Sequence, residues 1–289
     1  MTTAGKLDGA GKVDGAGKVD GAKPVPRLFF GARDGHETIE QGSRTLPQEF
    51  AVALSFNGTT QAVMMATPAD LIDFAYGFAL TEGIAQPSEV EEITVVQGER
   101  GIDVQSWLVP EAEARLAARR RTMAGPVGCG LCGIDSINEA LRELPPVPPT
   151  TFRMTPAQVR EAIAALPAHQ PLHDATRAAH CAAYWTPAGL FAAREDVGRH
   201  NALDKLAGHL IRHDHLEGAV VLTSRVSTDM VQKVAAIGAG VLIAVSAPTA
   251  DAVALADHLG ITVIALARPE RFELFTHSDR IVTEDTHAS

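Results

Sequence analysis

Two kinds of apolar pattern divide this chain. In the first half, Phe50 to Phe56 and Thr60 to Ala66 are strand-like and flank Asn57-Gly58, a pair that favours a type I′ turn, so a β-hairpin is predicted. Thr67 then reads as a helix cap, with Pro68 at the first helical position and Asp70 completing a capping box. Leu71, Phe74, Ala75 and Phe78 give that helix one apolar face, and Gly83 ends it. A second β pair is predicted at Glu92 to Gln97 and Ile102 to Leu108, followed by a helix over Glu111 to Met123. A glycine-rich loop and a short helix from Ser136, capped by Asp135, come next. Past a proline-rich stretch, Thr155-Pro156 opens a helix to Leu166, and strands at Ala179 to Trp185 and Leu190 to Glu195 flank a Pro-Ala-Gly turn.

The second kind of pattern begins at Gly218. Ala219 to Thr223, Val241 to Ser246 and Ile261 to Ala267 are continuous apolar runs, separated by helical segments at Thr228 to Ile237 and Ala250 to His258. Strands buried on both faces and joined by helices make a parallel βαβαβ unit. The prolines at 145, 146, 148 and 149 form a stiff linker and mark a domain boundary. At the other end, a hexapeptide Gly-Lys-Leu/Val-Asp-Gly-Ala is written three times between Gly5 and Ala22, too polar and glycine-rich to offset its ordering entropy. The expected organisation is therefore a disordered tail over 1–26, an α+β region over 27–149 and an α/β region over 150–289.

Composition narrows the function. The chain has 289 residues with 46% apolar content, enough for a sizeable core. Its formal charge of −10 is unsuited to gripping a nucleic-acid backbone, so any anion site must be a local basic cluster. No apolar run approaches the ~20 residues that span a bilayer, and no secretory leader is read, so a cytoplasmic location with no membrane contact is expected. In that reducing setting, Cys129, Cys132 and Cys181 are expected to be reactive, metal-binding or buried rather than disulfide-linked.

Three constellations carry candidate chemistry. In open parallel sheets, ligands bind outside the carboxyl ends of the strands, where helix N-termini point their N–H groups. Those ends here read Thr223-Ser224-Arg225-Val226-Ser227-Thr228, Ser246-Ala247-Pro248-Thr249 and Arg268-Pro269-Glu270-Arg271. Arg225, Arg268 and Arg271 with Ser227, Ser246 and Thr249 suit a phosphate or pyrophosphate cradle; the plainer reading is helix caps and surface arginines. No Walker loop or dinucleotide-binding glycine fingerprint is present. The second constellation is Gly128-Cys129-Gly130-Leu131-Cys132-Gly133. Zinc binding, dithiol redox chemistry and persulfide transfer all suit such a pair, and Arg119 to Arg121 upstream could lower a thiol pKa or simply form a solvated face. The third is the run from Arg194 to Lys205, an ion-paired surface turn or a functional cluster. Cys181, alternating with apolar neighbours, is read as a core residue and His180 as a structural histidine.

The run Arg194 to Lys205, the segment Arg225 to Lys233, Ala244 to Thr249 and the Cys129–Cys132 loop together closely resemble the FdhD family of sulfur carrier proteins. The resemblance extends over about residues 27 to 285 and includes Asn57-Gly58, Ala62 to Pro68 and Glu82-Gly83. It implies a sulfurtransferase that takes sulfur from a cysteine desulfurase as a cysteine persulfide and passes it to the molybdenum bis(guanine dinucleotide) cofactor of formate dehydrogenase. Carried over by motif, Cys129 would hold the persulfide, Cys132 would assist or relay, and Leu266, Ala267, Arg268, Pro269, Glu270 and Arg271 would contact the cofactor. GDP or a GTP-like nucleotide would then occupy the same cradle, a homodimer is expected, and no resident metal is implied. The alternative is a non-catalytic cofactor chaperone whose cysteines bind zinc or a partner.

The family also resembles the cytidine deaminase fold, and an α/β core of that kind is expected. Deaminase chemistry is not: His215-Leu216-Glu217 lies downstream of the cysteine pair, and Gly128 stands where those enzymes need proline. Two departures from the family are Ser224, where Gly often precedes the arginine, and Arg177, in a loop where Gly is frequent.

Overall fold

A computed structural model describes residues 19–33, 36–123 and 144–283. The cysteine loop, the helix expected from Ser136 and most of the repeat segment lie outside these residues. The described chain forms three sheets.

The four-stranded sheet has the order β4-β3-β6-β5, built from β3 (Phe50–Phe56), β4 (Thr59–Ala66), β5 (Val90–Gln97) and β6 (Ile102–Leu108). The Asn57-Gly58 turn joins β3 to β4 with both residues at positive φ, as a type I′ turn requires. Helix α1 (Leu71–Thr81) covers one face of this sheet, where Phe56, Phe74 and Phe78 pack with Leu54, Val52 and Val104. Helix α2 (Pro110–Met123) adds Ala112 and Leu116 to that core.

The expected capping box does not form. Helix α1 starts at Leu71, and Asp70 sits before it in the left-handed region with no side-chain bond to the helix. Tertiary partners take these groups instead: the Thr67 N–H donates to Asp196, and the Asp70 carboxylate lies 3.6 Å from Arg194.

The six-stranded sheet has the order β12-β11-β10-β9-β7-β8. Its parallel centre is β9 (Ala219–Leu222), β10 (Val241–Ala244) and β11 (Thr262–Ala265), all fully buried, as the continuous apolar runs require. Strands β7 (His180–Thr186) and β8 (Gly189–Asp196) extend it on one side and β12 (Glu273–Leu274) on the other, all antiparallel. Helices α5 (Arg199–Arg212), α6 (Thr228–Ile237) and α7 (Ala250–His258) cover one face around Leu203, Leu206, Met230 and Leu242. Helix α3 (Pro156–Ala165) covers the other with Val159 and Ile163 against Trp185 and Ile243. Its Thr155 and Gln158 do form the capping box that the sequence failed to form at Thr67. The proline segment is not a free spacer: Val147 is buried in the core, and its N–H donates to the Leu259 carbonyl.

The third sheet was not foreseen. Strands β1 (Ala22–Arg33) and β2 (His36–Pro47) pair antiparallel, so strand structure begins at Ala22, inside the segment 1–26 expected to be disordered. This ribbon is anchored at its base, where Ala22 packs with Leu172 of helix α4 (Pro171–Thr176) and with Ala179, and Gln48 N–H donates to the Gly21 carbonyl.

Helices α1 and α5 fasten the two larger sheets together, and they cross at backbone contact. A methyl group on Gly77 would lie 1.7 Å from the Asp204 carbonyl oxygen, and one on Gly208 would lie 1.8 Å from that of Asp73. Only glycine on both helices permits this approach.

Candidate functional site

The strand ends of the parallel unit bring the expected cradle residues to one edge. The loops there are stitched by backbone hydrogen bonds: Val226 N–H to Ala247 O, Thr249 N–H to Val226 O, Leu266 N–H to Ser246 O and Ala267 N–H to Ala244 O. A tight turn follows β11, with Arg268 and Arg271 exchanging backbone bonds at 2.7 and 3.2 Å. Arg225, Arg268, Pro269, Glu270 and Arg271 are exposed, and neither Arg225 nor Arg271 is ion-paired among the described residues.

The individual roles differ. Arg268 braces the edge, its Nη1 donating to the carbonyls of Val245 and Ala267 at 2.6 and 2.8 Å. The Thr249 hydroxyl accepts from the Ala252 N–H, so it caps α7, as the plainer reading of that threonine holds. Ser227 precedes α6 in the cap position without a side-chain cap bond, and Asp229 lies in the first turn of that helix. Leu266 adopts φ 51°, a left-handed conformation that costs a bulky residue free energy, and its side chain is exposed beside the arginine turn. Ala267 is buried beneath it. His200 at the start of α5 reaches Asp229 of α6 at 3.0 Å, and this hydrogen bond, against the opposing effect of burial, holds the Asp229 carboxyl well below its ordinary range. The arrangement offers two helix N-termini and exposed guanidinium groups to an anion, the chemistry of phosphate recognition.

Apart from His200, the run from Arg194 to Lys205 lies away from this edge; Arg194, Asp196 and Asn201 to Lys205 are buried, and Glu195 and Val197 to His200 are half-buried. Lys205, fully buried, donates to Asp196 at 2.6 Å and to the Thr67 carbonyl at 2.9 Å, while Asn201 binds Asp196 and the Met65 carbonyl. Arg194 pairs with Asp73 through two nitrogens at 3.0 and 2.7 Å, and Arg212 binds the other carboxylate oxygen. Burial alone would raise Asp73, but hydrogen bonds from His209, Arg194 and Arg212 outweigh it and bring the carboxyl down to about 2. At the far end, Lys233 reaches Asp204, Thr81 and Glu82 at 2.7 to 3.0 Å. These groups form a polar seam between α1, α5 and α6, so the surface-turn reading fails: Asp196 pairs within the run, and the remaining partners come from residues 65–82 and from Lys233. Of the other seam residues, Lys233 entered the sequence reading only as the end of the Arg225–Lys233 motif, and Asp73 carried no local signal that could have identified it. Beside the seam, a cavity of about 460 Å3 is lined by Asp70, His169, Phe191, Arg194 and Glu195.

The other singled-out residues fall as follows. Cys129 and Cys132 lie outside the described residues, as do Arg120 and Arg121 as side chains, while Arg119 Nη1 donates to the Glu82 carbonyl at 2.8 Å. Cys181 is buried, and burial pushes its thiol far above the ordinary range. Arg177 closes α4 at φ 60°, which explains physically why glycine suits that position. Among the described residues, no three His, Cys, Asp or Glu side chains converge to hold a metal, and no helix is long and apolar enough to cross a membrane.

Comparison with known proteins agrees with this architecture. The model of the FdhD/NarQ family matches residues 47–282. A sulfur carrier protein FdhD of Agrobacterium fabrum is 52% identical over 249 residues, covering 85% of this chain and 92% of that protein. The protein of the same name from Bordetella petrii is 44% identical over 249 residues, covering 83% and 87%. In structure, a chain from Desulfotalea psychrophila assigned as a formate dehydrogenase accessory protein superposes with a TM-score of 0.69 at 25% identity, covering 90% of this chain and 99% of that one. A family match across most of the chain, with relatives above 50% identity, means that this chain belongs to the FdhD/NarQ family.

Proposed function

We propose that this chain is a sulfur carrier for formate dehydrogenase, moving sulfur as a cysteine persulfide on the Cys129–Cys132 pair to a molybdenum bis(guanine dinucleotide) substrate held at the Arg225–Arg271 edge. Kinship with sulfur carrier proteins supports the role. The observation that carries the binding half is the strand-end edge, where exposed Arg225 and Arg271 flank the N-termini of α6 and α7.

The loading step needs only sulfur chemistry. A thiolate of the pair attacks the terminal sulfur of a cysteine desulfurase persulfide; the S–S bond of the donor breaks, a new S–S bond forms, and the donor cysteine leaves as a thiolate. For delivery, the second thiolate of the pair would attack the inner sulfur of the carrier persulfide: the persulfide S–S bond breaks, a Cys129–Cys132 disulfide forms, and the terminal sulfur leaves with the electron pair as sulfide, the form in which it would ligate the molybdenum substrate. The cradle's part is positioning. Guanidinium groups and helix N-termini hold the pyrophosphates of the nucleotide arms, and the ordered backbone of the edge fixes where the metal end points.

Two measurements test the two halves. Mass spectrometry after incubation with a desulfurase and cysteine is expected to show one added sulfur atom on Cys129 or Cys132; no adduct overturns the carrier reading and leaves a cofactor chaperone. Arg271→Ala is expected to weaken GDP binding about 10-fold while leaving persulfide loading intact, and unchanged GDP affinity would remove the edge from the site.

A further inference from the structure

Beyond the cradle edge, the six-stranded sheet continues into β7 and β8. His180, the first residue of β7, pairs in register with Asp196, the last of β8, and Arg199 and His200 open α5 three residues later. The register between β7 and β9 sets Ala182 beside Leu222, so the start of β7 lies at the carboxyl end of β9. The Cys181 N–H donates to the Thr223 hydroxyl there at 2.9 Å, and His200 reaches Asp229 of α6.

Arg199 lacks the partner that its burial calls for. The residue is half-buried and its Nε is closed off from solvent, yet among the described residues its guanidinium forms no hydrogen bond and no ion pair. A cation taken partly out of water without an acceptor is costly, and buried polar groups in folded proteins are paired. The carboxylates nearby are already engaged. Both Glu195 oxygens accept from the backbone N–H groups of Leu172 and His173 at 2.7 Å. Asp196 accepts from Thr67, Gly198, Asn201 and Lys205, and Asp229 is held by His200.

The groups around Arg199 are basic instead. Burial first, and then Arg199, His173 and His200, hold the His180 ring below its ordinary pKa, with Asp196 pulling the other way. The His180 ring itself forms no hydrogen bond among the described residues, whereas His173 Nδ1 lies 3.0 Å from the Ala179 carbonyl oxygen. Groups of one sign gathered in this way repel one another, and an anion placed among them turns that repulsion into attraction. In a chain of net charge −10, such a gathering stands out against its background.

We propose that Arg199 and His180, bordered by His173 and His200, form a second oxyanion subsite that takes a phosphate-type group. The planar guanidinium supplies the fork that grips two oxygens of such a group, and the His180 ring supplies a further donor. Its position differs from that of the cradle. Adjacent strands lie about 4.8 Å apart, so the end of β8 stands ~19 Å along the sheet from the end of β11, four strands away, which leads into the Arg268–Arg271 turn. The phosphate-type group belongs either to a second nucleotide arm or to a separate inorganic anion. The subsite uses neither the cysteine pair nor Arg271, so it stands or falls independently of the proposed sulfur transfer.

Calorimetric titration of inorganic pyrophosphate into the full chain tests it. Arg199→Gln is expected to weaken one binding event about 10-fold or more with circular dichroism unchanged, whereas Arg271→Ala is expected to leave that event intact. Arg199→Lys keeps the charge and loses the fork, so it should recover only part of the affinity. His180→Gln, on a different element, is expected to weaken the same event about 3-fold or more and gives the readout should α5 not tolerate a change at Arg199. GDP then identifies the source: a second GDP per chain, lost in Arg199→Gln, assigns the subsite to a nucleotide arm, and pyrophosphate bound beside a single GDP assigns it to a separate anion. No pyrophosphate binding, binding that Arg199→Gln leaves unchanged, or a single event abolished by Arg199→Gln and Arg271→Ala alike overturns the proposal.

Discussion

Charged residues are handled in opposite ways at the seam and at the strand-end edge. At the seam, Arg194, Lys205 and Lys233 are buried and each meets at least one carboxylate, whereas Arg225 and Arg271 at the edge face solvent. A buried charge is desolvated whether or not its partner is present, so its cost appears as soon as the pair is broken. An exposed arginine is hydrated without a partner, so removing it costs little stability and leaves its capacity for an anion as the property at stake. The seam therefore holds the fold, and the edge is available for binding.

Breaking the seam should give the largest effect. Lys205→Ala strands the fully buried Asp196 and is expected to cost about 3–5 kcal/mol in urea unfolding; adding Asp196→Ala should recover part of that loss. Gly77→Ala is next, because the new methyl meets the Asp204 carbonyl and forces α1 off α5, an overpacking loss of up to about 3 kcal/mol in the same assay. The acid response of the seam sharpens the comparison further. The folded carboxyl of Asp73 lies near 2 against an ordinary 3.8, so its stabilisation is present above pH 3.8 and lost as pH falls through about 2, worth about 2 kcal/mol. Asp73→Asn should flatten that part of the pH–stability curve. At the small end, Arg271→Ala should change stability by less than about 0.5 kcal/mol while altering GDP affinity; a loss as large as at the seam would erase the distinction.

The sequence revealed most where structure is local. The Asn57-Gly58 hairpin, the β5–β6 pair and the three buried strands with their helices stand where period and turn chemistry put them. Cys181 lies in the core, as its alternation with apolar neighbours implied. Non-local structure was hidden. Asp70 has the spacing of a capping residue, yet a distant arginine outcompetes the helix N–H groups for its carboxylate. The ribbon escaped notice because Pro24 and Pro26 within β1 argue against a strand, a penalty avoided when the proline nitrogen faces an unpaired edge. The edge residues were legible because the topology of a parallel sheet fixes where strand ends gather, even though Thr249 turned out to be a helix cap.

The seam also dictates when the molecule can fold during synthesis. The Thr81 hydroxyl donates to Asp204, 123 residues further along the chain. At about 5–20 residues per second, helix α1 is synthesised some 6–25 seconds before its partner. For that interval its glycine-bearing, carboxylate-bearing back face has nothing to pack on. The N-terminal sheet must wait with its core only half enclosed, so slow translation over residues 82–204 lengthens the time in which this nascent chain is most open to aggregation.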